Sequence, residues 1–178
     1  MGAAEKQINF VMPIGLPTGL GNVAVNLLNS GANTDTIFHG LVQIVAGQPD
    51  LFTSTNGAGG TAAAVNVTNP NNRLPPPFNV TTVVGSTAVP TILEFTVTGL
   101  RIAGTAEITV TIGTTQISGA NIVFVGPNPA MPGFDTLNVT LPETLAGAGS
   151  VPVVVTFTRG GTVTSSRPAD TAPRITIN

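Results

Sequence analysis

A strand–turn–strand phrase occurs twice in this chain, and it limits the possible folds more than any other feature. In the clearer copy, Thr136–Phe157 (TLNVTLPETLAGAGSVPVVVTF), Leu137-Asn138-Val139-Thr140-Leu141 alternates apolar and polar residues. That is the period-two pattern of a half-buried strand. Pro142, which has no N–H for a ladder, ends the run. A Gly-rich connection over Leu145–Ser150 leads to a second, more apolar strand from Val151 to Phe157. The other copy is Gln7–Leu27 (QINFVMPIGLPTGLGNVAVNL). Ile8, Phe10 and Met12 match Leu137, Val139 and Leu141; Asn9 matches Asn138 and Pro13 matches Pro142. After a one-residue slip in the turn, Val23, Val25 and Leu27 answer Val151, Val153 and Val155. Two copies of one unit predict two related modules.

Between and around these copies the pattern is that of short strands separated by turn residues. Strands are expected at Gln7–Met12, Asn22–Leu28 and Thr36–Val45, the last with a bulge at Gly40. Thr61–Val67 fits either a short strand or a helical turn. Further on, Phe78–Val84, Thr91–Thr98, Ala106–Ile112, Gln116–Ser118 and Asn121–Val125 are rich in Val, Ile and Thr. Thr162–Ser166 and Arg174–Ile177 close the chain. No segment offers three turns of good helix formers, so the expected fold is all-β, an arrangement of antiparallel β-sandwich modules. The stretch Asn69–Pro77 (NPNNRLPPP) reads as a stiff, extended linker. The expected domains are an incomplete module over 1–68, the linker over 69–77, and a complete sandwich over 78–178.

The two modules are unequal. The second has about five strands ahead of its repeated phrase, whereas the first begins almost at its own. A half-sandwich leaves the apolar side chains of Ile8, Phe10, Met12, Val23, Val25, Leu27, Phe38 and Val42 in need of cover. Each large apolar side chain left in water forgoes about 2 kcal/mol. The cover could come from the second module, from a neighbouring copy, or from strands of a longer chain.

Composition favours the neighbouring copy. Charged residues make up 8% of the chain, against roughly 25% in ordinary soluble domains. Little charge repulsion then keeps copies apart. The net charge of −2 and six scattered basic residues leave no footprint for nucleic acid. There are no cysteines, hence no disulfide frame and no thiolate chemistry. No run approaches the ~20 apolar residues of a membrane-spanning helix, so no membrane insertion is expected. The opening MGAAEKQINF lacks the apolar core of a signal peptide, and Lys6 breaks the myristoylation pattern.

Several short elements resemble a known family when taken in order. They are Gln7–Pro13 (QINFVMP), Pro49-Asp50-Leu51-Phe52, Gly59-Gly60-Thr61-Ala62-Ala63-Ala64-Val65-Asn66, Thr98-Gly99-Leu100, Val110-Thr111-Ile112-Gly113 and Pro132-Gly133-Phe134 with the following Leu137-Asn138-Val139 and Pro142. This series resembles an Ig-like repeat family common at the C-terminal ends of large secreted and surface proteins of Acidobacteria. The resemblance covers most of the chain. It implies paired Ig-like sandwiches, an extracellular setting and no known enzymatic activity. Family members carry a complete first module, with a strand and a Pro-Gly ahead of the QINF element; this chain starts part-way through it.

Catalytic and metal-binding patterns are thin. His39 is the only histidine, with Asp35 four residues before it, and Gly85-Ser86-Thr87 is not a nucleophile elbow. Asp35, Asp50, Glu94, Glu107, Asp135 and Glu143 are dispersed and form no D-x-D-x-D-G calcium loop. Gly57-Ala58-Gly59-Gly60 precedes no long amphipathic helix, so it reads as a turn and not as an anion cradle. The Asn-Val-Thr triplets at Asn66, Asn79 and Asn138 match glycan acceptors, but strand alternation in such a composition produces them too. Lys6 is the sole lysine; a plain surface lysine is its ordinary reading, an internal Lys–Asn crosslink its special one. Without Trp or Tyr there is no aromatic platform for sugars.

The expectation is a non-enzymatic extracellular structural or adhesive protein, without cofactor or metal, whose partners are other copies of itself. It assembles into a filament or surface layer by strand complementation of the first module. The alternatives are a passive spacer or sorting module of a large secreted protein, or a ligand-binding surface domain.

Overall fold

The computed structural model describes residues 10–27, 36–55 and 57–178. The chain divides into two compact units, Met1–Ala46 and Gly47–Asn178. In the first, β1 (Gly19–Leu27) and β2 (Thr36–Ile44) form a two-stranded antiparallel sheet. Their register is unbroken from Gly19↔Ile44 to Leu27↔Thr36.

The second unit holds β3 (Asp50–Leu51), β4 (Ala64–Asn66), β5 (Thr81–Val84), β6 (Thr87–Pro90), β7 (Ile92–Thr98), β8 (Ile108–Ile112), β9 (Thr115–Ile117), β10 (Ile122–Pro127), β11 (Asp135–Thr140), β12 (Gly149–Arg159), β13 (Thr162–Ser165) and β14 (Arg174–Ile177). One sheet runs β10-β11-β7-β3, with β4 also pairing β7. The other runs β13-β12-β8-β9, with β14 pairing the N-terminal part of β12. β5 and β6 make a separate hairpin. All pairings between these strands are antiparallel; the isolated bridges Thr61–Arg174 and Phe78–Ile177 are parallel.

Alternation builds the core. In β7 every second residue of ILEFTVT is buried, so that Leu93, Phe95 and Val97 point inward. Leu137 and Val139 of β11 join them from the same sheet. Val110 and Ile112 of β8 and Val153, Val155 and Phe157 of β12 supply the facing layer, all shielded from water. Two antiparallel sheets, each with one mostly apolar face, pack as a β-sandwich.

The domain boundary differs from the sequence expectation. Residues 50–66 belong to the second unit, because Ala64, Val65 and Asn66 pair with Phe95, Glu94 and Leu93, and Asp50 pairs with Thr98. The segment 69–77 does not act as a linker between modules. Leu74 exchanges two backbone hydrogen bonds with Asn66, at 2.8 and 3.1 Å, and Phe78 bridges Ile177. Prolines keep that chain extended as expected, but an extended chain beside a sheet edge can still bond through its non-proline residues.

Three strand expectations also shift. Gln7–Asn9 lie outside the described residues, and Phe10–Met12 forms no ladder. β2 is not bulged at Gly40, which pairs directly with Val23. The irregularity lies in β10 between Ile122 and Phe124. The β5–β6 hairpin was not anticipated beyond its first strand; Gly85, at φ 65°, supplies the left-handed conformation of its turn.

Candidate functional site

The residues proposed from sequence for self-association fall on the first unit, where none of residues 10–25 and 39–46 is buried. Phe10 is 61% exposed and Met12 41%. Val23, Val25 and Val42 are half-buried. Ile8 lies outside the described residues. Leu27 and Phe38 are placed by backbone register only, opposite Thr36 and Val25 respectively.

The register sorts the hairpin into two faces. Val23, Val25, Val42 and Ile44 share one of them with Gly19, Gly21 and Gly40. A Cβ on Gly21 would stand 2.8 Å from the tip of the Ile44 side chain, which would have to turn aside. On the other face are Leu20 and Leu41, 71% and 73% exposed, with Asn22, Ala24, His39 and Gln43. Both faces therefore present apolar surface. Ile14, Leu16 and Val45 add to it. Sequence alternation singled out one face and missed Leu20 and Leu41, whose positions are the intervening ones. The described residues of this unit include no Asp, Glu, Lys or Arg.

In the second unit several charged side chains form ion pairs and hydrogen bonds. Asp135, buried, accepts from the Leu100 N–H at 2.9 Å and from Arg101 Nε at 3.1 Å. Arg159 grips Glu107 through Nε and Nη2, both at 2.6 Å, and donates to the Ile102 carbonyl at 2.8 Å. The guanidinium hydrogen bonds and the Gly104 N–H hold the Glu107 carboxyl down at about 2, and the Glu107 carboxylate in turn raises Arg159. Arg167 reaches Asp50 at 3.0 Å, and Arg73 pairs with Glu94.

Two clefts open on this unit. One, about 280 Å³, is lined by Asp50, Leu51, Phe52, Thr53, Thr98 and Arg167. The other, about 300 Å³, is lined by Asn66, Leu74, Pro75, Pro77, Phe78 and Val83 among others. Neither gathers a nucleophile, a base and an oxyanion donor. Asp50 already accepts from Arg167 and from the Leu51 N–H. Asn66, one of the three triplet asparagines, is buried and donates to Thr82 while accepting from Thr68, so its amide is structural. Among the described residues no group of His, Asp and Glu could hold a metal ion.

The site with the largest unmet physical demand is thus the open hairpin β1–β2. Comparison of the chain with protein-family models, curated proteins and solved structures finds no match.

Proposed function

We propose that this chain is a non-enzymatic extracellular structural or adhesive protein, built of Ig-like modules, that self-associates by strand addition at its first unit. The observation that carries this reading is a two-stranded sheet with apolar side chains on both faces and no buried side chain among residues 19–25 and 39–44. An isolated hairpin is marginal in water and needs further strands or packing for stability. Strand addition supplies main-chain hydrogen bonds and apolar burial together.

The strand order of the second unit supports the Ig-like reading. β4-β7-β11-β10 corresponds to the A-B-E-D sheet, and β13-β12-β8 to G-F-C, with β9 in the place of C′. The extracellular setting rests on the resemblance of the ordered sequence elements. Light scattering across a concentration series, with negative-stain microscopy, tests the assembly. Persistent oligomers or regular polymers are expected. A monomer at every concentration would contradict the reading and favour a passive spacer module.

A further inference from the structure

The sheet edges of the molecule are unequally protected. Natural edge strands are kept from pairing by being short, bulged, charged or interrupted by proline. In the second unit β9 has 3 residues and β13 has 4. β3 and β4 have 2 and 3. β10 is bulged and ends at Pro127. The separate β5–β6 hairpin ends at Pro90.

β1 has none of these features. It is 9 residues long, regular in register, and its sequence GLGNVAVNL contains neither charge nor proline. The repeat also says which edge of the first hairpin is meant to be filled. β1 answers β12 as far as Val155, and β2 follows β1 in the chain and pairs with it as β13 does with β12, although β13 meets β12 further along, at Thr156–Arg159. β12 carries a further antiparallel partner, β8, along Val153–Phe157. The described residues give β1 no such partner.

Resting on the self-association reading above, we propose that β1 pairs antiparallel with β1 of a second copy about a two-fold axis at Val23. The remaining described edge of the second unit, β14, is 4 residues long, begins at Arg174 and is bridged by Thr61 and Phe78; β2 is unguarded, but its counterpart β13 ends its sheet. Hence the edge that fits β1 is β1 itself. The register that pairs all nine residues sets Val23 against its own equivalent, Gly21 against Val25, and Gly19 against Leu27 of the second copy. Small residues then lie across from larger ones on one face, and Asn22 lies across from Ala24 on the other. Two hairpins become one four-stranded sheet. The contact is closed, so the dimer it makes is the building block of any larger assembly.

The chain has no cysteine, so one introduced thiol reports on one position. Directly opposite residues in an antiparallel ladder have Cα atoms about 4.5–5.5 Å apart, within the range that a disulfide spans. Full-length Val23→Cys under mild oxidation is expected to convert from monomer to disulfide-linked dimer on a non-reducing gel. Mixed Asn22→Cys and Ala24→Cys chains, which leave Val23 intact, are expected to yield the cross-linked heterodimer. Gly40→Cys, at the centre of β2, is expected to stay uncrosslinked. Crosslinking through Gly40→Cys instead, with oligomers still seen by light scattering, would overturn the β1 pairing but leave self-association standing. Monomers throughout would overturn both.

Discussion

Val25 and Val153 hold equivalent places in the two copies of the repeat and differ in what lies beside them. Val153 of β12 faces Ile112 of β8 and is fully buried, whereas Val25 pairs with Phe38 of β2 and is only half-buried. Truncation should therefore act differently at the two sites. Val153→Ala should lower the stability of the second unit by about 2 kcal/mol, as buried methyl groups are lost and a cavity is left. Val25→Ala should leave the thermal transition of the second unit in place and instead weaken self-association. Calorimetry together with sedimentation separates the two effects.

Asp135 fixes the turn after β7 by accepting from Leu100 and Arg101 at once. Asp135→Ala leaves a buried N–H and a guanidinium without their acceptor. Charge-assisted hydrogen bonds of this kind contribute roughly 1.5–3 kcal/mol each. A loss of about 3 kcal/mol in chemical unfolding is expected, with Asp135→Asn intermediate.

The Glu107–Arg159 pair gives stability a pH dependence. The Glu107 carboxyl is lowered from 4.5 to about 2 in the folded protein. A depressed folded-state value stabilises above the ordinary carboxylate range and is lost as pH falls from about 4.5 toward 2. The pair is partly exposed, with the Arg159 side chain 34% and the Glu107 side chain 26% accessible, so salt should weaken its effect. Glu107→Gln should flatten the part of the acid-unfolding curve between those values. An unchanged curve would show that the pair contributes nothing measurable.

Gly99 sits at φ 75° immediately after β7, and a Cβ there would come within 1.9 Å of the Gln48 carbonyl oxygen. Left-handed backbone and a clash with main chain act together. Gly99→Ala should cost about 2–3 kcal/mol in the second unit. Gly85→Ala, whose φ of 65° is equally left-handed but whose surroundings are open, should cost about 1 kcal/mol. Urea unfolding of the two variants measures the difference.

The strands that were legible in the sequence are those with one face on the core. In ILEFTVT and ITVTI burial alternates with the side chains, and the repeated phrase correctly located β11 and β12. Less legible were features set by long-range pairing. Nothing local tells that Leu74 bonds back to Asn66, so a proline-rich stretch read as a linker when it is tied to the sandwich. The hairpin strand Thr87–Pro90 is short and ends in proline, which hid it. Of the apolar residues on the β1–β2 hairpin, the valines of β1 were legible because they repeat a buried strand. Leu20 and Leu41 were not, because an exposed apolar residue at an outward position breaks the pattern that alternation looks for.

Amide hydrogen exchange on β1, followed at low and high protein concentration, tests the central claim most directly. If β1 is completed by a second copy, outward amides between Gly19 and Leu27 should gain protection as concentration rises, while those of β7 and β12 stay unchanged. Protection in β1 that is independent of concentration would contradict the account.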